Sequence, residues 1–287
     1  MCVFKAEHMV IVSQSDQRLQ RSRTLNPANA IQNFMNTLHP VFKFPRRLTK
    51  ATILSRPNRY VAKVKLTSGE IVKAYVPVGG RIGGLTIDGL NCLLSGAYPH
   101  RNTLYTVEAL ELEKQWVGIN QNAGNTYVKH FLENGFLSEL TQLTVDETKR
   151  VLNPEKTLLN SRIDFQLDSS NGTKPLWIEV KTPLIELHTE IPENVPVKTD
   201  YGTVAPSMRM PQQIENMLSR VADGDRAVLL GLFLYVNDKT SHKERFLANL
   251  DVDGLAIQGA KKNLESWSLE CRFSPDGVTF NSLERIL

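Results

Sequence analysis

Cysteine, long apolar runs and clustered histidines are all scarce in this sequence. Only three cysteines occur in 287 residues, too far apart for a metal-binding spacing or a disulfide framework, which favours a reducing compartment. The longest apolar run, Ala227–Val236, is too short to span a bilayer, and the run Met9–Val12 is too short for a secretory signal. The six histidines are dispersed, and no Ser/His/Asp set is evident. These absences favour a cytoplasmic protein without a transmembrane helix.

Neither sign of charge dominates the composition. The chain has 34 basic and 30 acidic residues, a formal net charge of +4, and a pI of about 8.9. This balance permits a polyanionic partner without requiring one. With 41% hydrophobic residues, the chain is large enough for one large domain or two smaller ones.

Residues 1–50 are predicted to be a basic N-terminal extension that is partly flexible. They contain eight basic residues and two acidic ones, and Ala28–Leu38 has the pattern of a short amphipathic helix. Three interpretations remain open for this stretch. It is a basic arm that contacts nucleic acid, an organellar transit peptide, or a segment upstream of a true start at Met35.

Residues 51–112 have the pattern of a small β-barrel. Apolar and polar residues alternate in Tyr60–Leu66 and again in Glu70–Val76, with a turn signal at Ser68-Gly69 between them. A further strand is predicted at Leu104–Leu112. Short strands separated by turns at this spacing are typical of a barrel.

Residues 113–287 are predicted to form a second domain of the α/β class. The loop Thr182–Pro206 separates its two halves, and the order of elements indicates an α/β sandwich with acidic residues at one sheet edge. The predicted elements are helices at Asn122–Asn134, Met208–Ala222 and Asp251–Leu264, and strands at Arg226–Val236 and Ser266–Phe273.

The segment Arg162–Lys181 has the pattern of a β-hairpin. Asn171-Gly172 is a strong signal for a type I′ turn, because both residues tolerate positive φ. A turn centred on that pair fixes the register and places Asp164 opposite Glu179. The alternating apolar residues share one face in this register: Ile163, Phe165 and Leu167 on the first strand, and Leu176, Ile178 and Val180 on the second.

The other face of the hairpin carries like charges in facing positions. Asp164 faces Glu179 and Arg162 faces Lys181, with Gln166 and Trp177 completing the face, and like charges opposite each other repel. A divalent cation between the two carboxylates and a phosphate at the basic groups would remove both conflicts. Oxygen ligands that leave positions open to water and phosphate suit Mg²⁺ or Mn²⁺. The alternative is an ordinary solvated face on which Asp164 pairs diagonally with Lys181.

Several stretches resemble one known family. S-R-I-D-F at 161–165 and I-E-V-K-T at 178–182 are similar to the nuclease core of the sugar fermentation stimulation protein A (SfsA) family, a branch of the PD-(D/E)XK nucleases. W-V-G-I-N at 116–120, followed by Asn125, resembles the family's W-V-G-V-N-T…N. The resemblance implies an α/β (α+β) fold, with an N-terminal OB-like barrel at 51–112 and a nuclease-like α/β domain with a mixed sheet at 113–287.

Two motifs of the family are altered in this chain. The family turn C-P-N-T-G corresponds to V-P-V-G-G at 76–80, and the helix start R-G-x-K-H-L corresponds to R-M-P-Q-Q-I at 209–214. Arg209 is kept, whereas glutamines at 212 and 213 replace a lysine and a histidine. Glutamine can hydrogen-bond a phosphate, but it supplies neither charge nor proton.

The resemblance also implies the roles of individual residues. Asp164, Glu179 and Lys181 would be catalytic. Asp164, Glu179 and the backbone carbonyl of Val180 would hold Mg²⁺ or Mn²⁺, and Glu147 matches a glutamate that often completes the metal shell in related nucleases. We expect Lys181 to act by electrostatic stabilisation.

Five residues are expected to contact nucleic acid. Arg162, Arg209 and Gln212 would position the strand. Asn120 and Asn125 either cap the helix that follows them or contact a phosphate, and capping is the favoured interpretation. The expected partners are DNA and/or RNA and no membrane, with a homodimer left open.

These observations leave three hypotheses for function. The first is a metal-dependent nuclease that hydrolyses phosphodiester bonds of DNA and/or RNA. The second is a nonspecific DNA-binding or regulatory protein of sugar metabolism that does not cleave. The third is a catalytically silent interaction module. The expected location is the cytoplasm, with an organelle as the alternative through the basic extension.

Overall fold

The computed structural model describes residues 41–78, 80–96, 103–113, 115–168, 174–197, 209–236, 241–249 and 263–287. Within this range, residues from His39 onward belong to one compact unit. The helices predicted at Ala28–Leu38 and Asp251–Leu264 and the turn Asn171-Gly172 lie outside the described residues, apart from the last two positions of the second helix.

The described elements comprise thirteen strands and five α-helices. The strands are β1 (Val41–Lys43), β2 (Thr49–Asn58), β3 (Val61–Leu66), β4 (Ile71–Tyr75), β5 (Asn91–Gly96), β6 (Tyr105–Leu112), β7 (Gln115–Gly118), β8 (Leu152–Leu158), β9 (Ser161–Leu167), β10 (Leu176–Lys181), β11 (Arg226–Phe233), β12 (Glu265–Phe273) and β13 (Gly277–Arg285). The helices are α1 (Gly124–Glu133), α2 (Ser138–Thr141), α3 (Val145–Val151), α4 (Arg209–Ala222) and α5 (His242–Asn249).

Strands β2 to β6 form the predicted barrel. They are neighbours in the order β4-β3-β2-β5-β6, and each of these pairs is antiparallel. A parallel pairing of β4 with β6, through Ala74↔Tyr105 and Tyr75↔Thr106, closes the ring. This closure is that of an OB-like barrel, and it confirms the first half of the expected fold.

The predicted alternation directs side chains into and out of the barrel. On β3 the inward residues Ala62, Val64 and Leu66 are buried, whereas Lys63 and Lys65 are exposed. Gly69 makes the turn into β4 with a φ of +91°, a conformation that favours glycine.

The second half of the chain builds the expected mixed sheet. From β7 the strand order is β12, β11, β10, β9 and β8, with β10, β11 and β12 parallel to one another and β8 and β9 antiparallel to their neighbours. Strand β7 pairs with both β6 and β12, so backbone hydrogen bonding is continuous from the barrel into this sheet.

Helices α1 and α4 confirm the predicted apolar patterns. In α1 the side chains Tyr127, Val128, Phe131 and Leu132 are all buried, as expected. In α4 Ile214 and Met217 are buried, while Leu218 and Val221 pack against them. Each helix is followed by a glycine with positive φ, Gly135 after α1 and Gly224 after α4.

The two helices cover opposite faces of the sheet. Ile178 belongs to the core that contains Tyr127 and Phe131 of α1, whereas its neighbour Trp177 packs in the core that contains Ile214 and Met217 of α4. Strand β11 is buried from Ala227 onward because both of its faces are covered.

One apolar residue of the hairpin lies on a different side from the prediction. Ile163 packs in the α4 core with Trp177, not with Phe165. Strand β8, which pairs with β9, is irregular opposite Asp164. Glu155 has a φ of +55°, and the pair between Glu155 and Asp164 is missing from the otherwise regular β8–β9 pairing. We attribute the change of face between Ile163 and Phe165 to this irregularity.

Several elements were not predicted from the sequence: β1, β7, β8, β13, α2, α3 and α5. Strand β1 lies in the stretch assigned to the basic extension, yet it pairs with β13. Strand β8 is an edge strand with mostly exposed side chains and a proline, Pro154, so it lacks the apolar alternation of a buried strand. In the part of the chain that the structure describes, no helix is long and apolar enough to cross a membrane.

Candidate active site

The predicted register of the hairpin is confirmed. Strands β9 and β10 pair through Leu167↔Leu176, Gln166↔Trp177 and Phe165↔Ile178, so facing residue numbers have the expected constant sum. The next pair in this register is Asp164 and Glu179. The regular ladder stops just before that pair, and the acidic side chains lie where the strands begin to separate.

Asp164 spans the gap between the two strands. Its Oδ2 accepts the backbone N–H of Val180 at 2.8 Å. Its Oδ1 accepts a hydrogen bond from Nδ2 of Asn125 at 2.7 Å. The carboxylate is therefore oriented by β10 on one side and by α1 on the other.

Glu179 is buried, with an exposed fraction of only 3%. Its Oε1 accepts a hydrogen bond from Nζ of Lys181 at 2.5 Å, whereas no described residue donates a hydrogen bond to its buried Oε2. Burial raises the pKa of this carboxyl, the charge of Asp164 raises it further, and Lys181 opposes both effects. A buried carboxylate oxygen without a donor is unfavourable unless a proton or a cation satisfies it.

Lys181 is held between two acceptors. Besides Glu179, its Nζ donates to Oε1 of Gln213 at 2.9 Å, and Nε2 of Gln213 donates to the backbone carbonyl of Arg162 at 3.3 Å. Lys181 therefore pairs with Glu179, two residues before it on the same strand. The alternative of a diagonal pair between Lys181 and Asp164 is wrong in this structure.

Gln213 is a site residue that was not predicted from the sequence. It is 3% exposed and lies on α4, four residues before the buried Met217. The sequence does contain a signal for Gln213, since it is a polar residue within the apolar stripe of a predicted helix. Such a position predicts a buried amide, and buried amides need specific partners.

The Arg162 side chain does not face Lys181. It is largely exposed, and its Nη1 lies 3.5 Å from a carboxylate oxygen of Glu155 on β8. The predicted repulsion between Arg162 and Lys181 is therefore relieved within the protein, without a phosphate. A contact between Arg162 and nucleic acid stays a prediction.

Glu147 is not brought to the acidic pair. Its Oε2 accepts hydrogen bonds from the backbone N–H and the hydroxyl of Thr144 at 2.9 and 2.8 Å, which completes a capping box at the start of α3. Among the described residues, no three His, Cys, Asp or Glu side chains are grouped so that they could hold a metal ion. Glu147 therefore does not join Asp164 and Glu179 within the described residues, and its part in a metal shell stays a prediction.

The two asparagines differ in role. Asn120 caps the short 3₁₀ helix Gln121–Ala123, since its Oδ1 accepts the N–H of Asn122 at 3.1 Å. The predicted cap of α1 is not formed by either asparagine, because the N-cap residue of α1 is Ala123, which makes no side-chain capping bond. Asn125 caps no helix and contacts Asp164 instead.

The remaining predicted residues lie on α4. Nε2 of Gln212 is 3.3 Å from Oδ1 of Asn216 within the same helix. Arg209 is the first residue of the helix, and its side chain lies outside what the structure describes. Their contacts with nucleic acid stay predictions.

Fold and site together define a class: an OB-like barrel joined to a mixed α/β sheet with an acidic D…E-x-K pair. The model of the SfsA N-terminal OB domain matches residues 54–119. A sugar fermentation stimulation protein homolog of Geotalea uraniireducens is 31% identical over 188 residues, which is 65% of this chain and 74% of that relative. The chain therefore belongs to the sugar fermentation stimulation protein (SfsA) family.

Other relatives match over different spans. The Brucella melitensis homolog is 26% identical over 84% of this chain and 95% of its own length. The Rippkaea orientalis homolog is 31% identical, but the match covers only 59% of that relative and 50% of this chain. The solved structure of Pyrococcus furiosus SfsA, in complex with Ca²⁺, is similar in fold with a TM-score of 0.64 at 18% identity, covering 84% of this chain and 96% of that chain.

Proposed function

We propose that this protein is a metal-dependent nuclease whose site is formed by Asp164, Glu179 and Lys181. The single observation that carries the proposal is the buried Oε2 of Glu179, which lies beside a second carboxylate and has no hydrogen-bond partner in the part of the chain that the structure describes. Perturbed and unsatisfied acidic groups of this kind are concentrated at functional sites. A purely structural glutamate would be expected to have both oxygens satisfied.

The residues present fit a hard divalent cation. Asp164 and Glu179 supply carboxylate oxygens, and the backbone carbonyl of Val180 is a third candidate ligand. Two side-chain carboxylates leave positions for water and substrate phosphate, as is usual for Mg²⁺ and, with the same oxygen ligands, for Mn²⁺. The Ca²⁺ complex of the Pyrococcus furiosus relative supports a divalent cation in this family.

The chain's own residues have distinct tasks in this proposal. A bound divalent cation would lower the pKa of a coordinated water and stabilise negative charge on the phosphate. Asn125 and the N–H of Val180 keep Asp164 oriented. Lys181 has three ammonium donors, of which Glu179 and Gln213 take two, so one remains for a phosphate oxygen. We therefore assign Lys181 to charge stabilisation of the phosphate rather than to proton abstraction.

The outer face of the barrel supports nucleic acid as the substrate. Lys63 and Lys73 face each other across β3 and β4, and both are exposed, as is Lys65. Like charges in facing positions are unfavourable in isolation, and a polyanion would offset the repulsion. Nearby, the Arg59 guanidinium lies 4.6 Å from the ring centre of Tyr60. Basic strands next to an aromatic ring are typical of barrels that bind single strands.

A DNA-binding or regulatory protein that does not cleave is the second candidate. The observation that favours it is that, among the described residues, no third acidic side chain joins Asp164 and Glu179. Glu147 accepts hydrogen bonds from Thr144 instead. Under this alternative the outer face of the barrel binds nucleic acid, and Asp164 and Glu179 catalyse no cleavage.

A cleavage assay separates the two candidates. Labelled single- and double-stranded DNA and RNA are incubated with Mn²⁺, with Mg²⁺ and with chelator. We expect cleavage by the parent protein that depends on the metal and is lost in Asp164→Asn and Glu179→Gln, with Asp168→Asn and Glu111→Gln as matched controls. Binding without cleavage under all conditions would favour the second candidate. Cleavage that survives both site variants would show that the site is elsewhere.

A further inference from the structure

We propose that Glu108, on the barrel strand β6, is a positioning residue for the acidic site. Through Asn120 it fixes the turn of residues 120–125, and that turn holds Asp164 and the end of β10. The functional part of this inference rests on the proposed nuclease site. Its structural part is independent of any metal.

Glu108 is a buried carboxyl group with specific partners. It is 6% exposed, its Oε1 accepts a hydrogen bond from the hydroxyl of Ser95 at 2.5 Å, and its Oε2 accepts one from Nδ2 of Asn120 at 2.7 Å. Burial raises the pKa of this carboxyl, while the two hydrogen bonds act in the opposite direction. Glutamate is seldom buried unless its oxygens are paired, so the contact with Asn120 is a defined link between the barrel and the turn.

Asn120 is fixed from three directions. Its Nδ2 donates to Glu108, its Oδ1 accepts the N–H of Asn122 at 3.1 Å, and the preceding residue, Ile119, donates its N–H to the carbonyl of Glu108 at 2.8 Å. The beginning of the turn is therefore tied to β6 through both main-chain and side-chain hydrogen bonds.

The rest of the turn contacts both strands of the acidic hairpin. Nε2 of Gln121 donates to the backbone carbonyl of Thr182, the residue after Lys181, at 2.7 Å. Nδ2 of Asn125 donates to Oδ1 of Asp164 at 2.7 Å. Gly124 packs so closely against β10 that an added Cβ would lie 2.7 Å from Oγ1 of Thr182. A displacement of the turn would consequently be passed to β9 and β10 together.

The link predicts a measurable signal far from Glu108. The backbone N–H of Val180 is bonded to Oδ2 of Asp164, so its exchange with solvent reports how firmly that carboxylate is held. If Asn125 shifts with the turn, Asp164 loses one of its two donors and the Val180 amide becomes less protected.

The test compares four variants. Glu108→Leu removes the acceptor of Asn120 at similar volume. Asn120→Ser cuts the same link but keeps an oxygen that can accept the Asn122 N–H, because serine is a good helix cap. Glu108→Gln retains an amide oxygen for Asn120, since the Ser95 hydroxyl can accept from the new NH₂ group. Glu111→Gln, on the same strand but bonded to Asn91, is the matched control.

Two quantities are measured on the full chain: hydrogen exchange of the Val180 amide without metal, and the affinity for Mn²⁺ by calorimetry. We expect Glu108→Leu and Asn120→Ser to speed exchange at Val180 by about tenfold and to weaken Mn²⁺ binding by roughly tenfold or more. Glu108→Gln and Glu111→Gln should behave as the parent protein. A merely structural role would lower the melting temperature of the variants without selective loss at Val180.

The outcomes separate this inference from the proposed function. If the parent protein binds no Mn²⁺, the proposed function fails, and exchange at Val180 alone decides whether Glu108 positions Asp164. If the parent binds Mn²⁺ but a folded Asn120→Ser variant shows parental affinity and parental exchange at Val180, the positioning role is overturned. Asn120→Ser decides the question if Glu108→Leu does not fold.

Discussion

The carboxylate of Asp164 accepts the backbone N–H of Val180 at 2.8 Å. An acidic side chain of β9 thus takes a hydrogen bond on β10 at the level where the regular ladder between the two strands has ended. Val180 lies between Glu179 and Lys181, so this bond fixes the spacing of all three proposed catalytic groups. The geometry of the site depends on backbone positions as well as on the side chains themselves.

The donor on the other oxygen of Asp164 gives a first prediction. Asn125→Ala removes the hydrogen bond to Oδ1 while the bond from Val180 remains. Partners that orient metal ligands typically contribute 10-fold to 100-fold in metal affinity, so we expect a loss of roughly 10-fold to 100-fold in Mn²⁺ affinity by calorimetry. Asn91→Ala, on the barrel, is the control. Unchanged affinity in Asn125→Ala would mean that Asp164 is held well enough by Val180 alone.

The raised pKa of Glu179 gives a second prediction, about stability. Burial raises this pKa above its usual value of 4.5, so the folded protein binds the proton more tightly than the unfolded chain does. The contribution of this group to the free energy of unfolding is therefore fully present below about pH 4.5. It is lost as the pH rises from that value through the pKa of the folded state. In Glu179→Gln the amide needs no ionisation, and Lys181 keeps an oxygen acceptor.

We therefore expect Glu179→Gln to be more stable than the parent at pH 7 in the presence of chelator, by on the order of 1 kcal/mol. The difference should shrink towards pH 4, where the glutamate is protonated in both states. Urea unfolding at both pH values measures it. A parent protein that is the more stable of the two at pH 7 without metal would contradict the proposed environment of Glu179.

The sequence predicted the hairpin because its signals are local. A turn dipeptide and period-two alternation are enough to fix which residues face each other, and the observed pairing of Phe165 with Ile178 follows from them. The same reasoning could not place Ile163, because an irregularity on the neighbouring strand, at Glu155, determines its face.

The contacts that complete the site are long-range in sequence. Gln213 reaches Lys181 across 32 residues and Asn125 reaches Asp164 across 39, and no periodicity encodes such pairs. Glu147 was assigned from the resemblance, but a local capping box with Thr144 uses its carboxylate. A capping box can be predicted from the sequence, because it follows the pattern T-x-x-E, which is formed here by Thr144 and Glu147.

Close packing at Gly124 gives a third prediction. A methyl group at this position would lie 2.7 Å from Oγ1 of Thr182 and 3.3 Å from Cδ2 of Leu232. Alanine is the better helix former, yet we expect Gly124→Ala to destabilise the protein by about 1–3 kcal/mol because of this clash. Removing the hydroxyl in the double variant Gly124→Ala/Thr182→Ala should recover part of the loss. Chemical denaturation of both variants and of Thr182→Ala alone measures the coupling, and additive effects would contradict the contact.

The facing lysines of the barrel give a fourth prediction. Lys63→Ala and Lys73→Ala should each weaken binding of a labelled single-stranded oligonucleotide, measured by fluorescence anisotropy over a range of salt concentrations. Each lost phosphate contact should reduce the slope of log K against log salt by about 0.7. The free energy of unfolding should not fall, since Lys63 and Lys73 repel each other across the ladder. Lys129→Ala is the control, because this lysine lies on α1, not on a barrel strand, and its Nζ is 3.7 Å from Oε1 of Glu133 on the same helix. Salt slopes equal to that of the parent in both barrel variants would show that nucleic acid does not bind along β3 and β4.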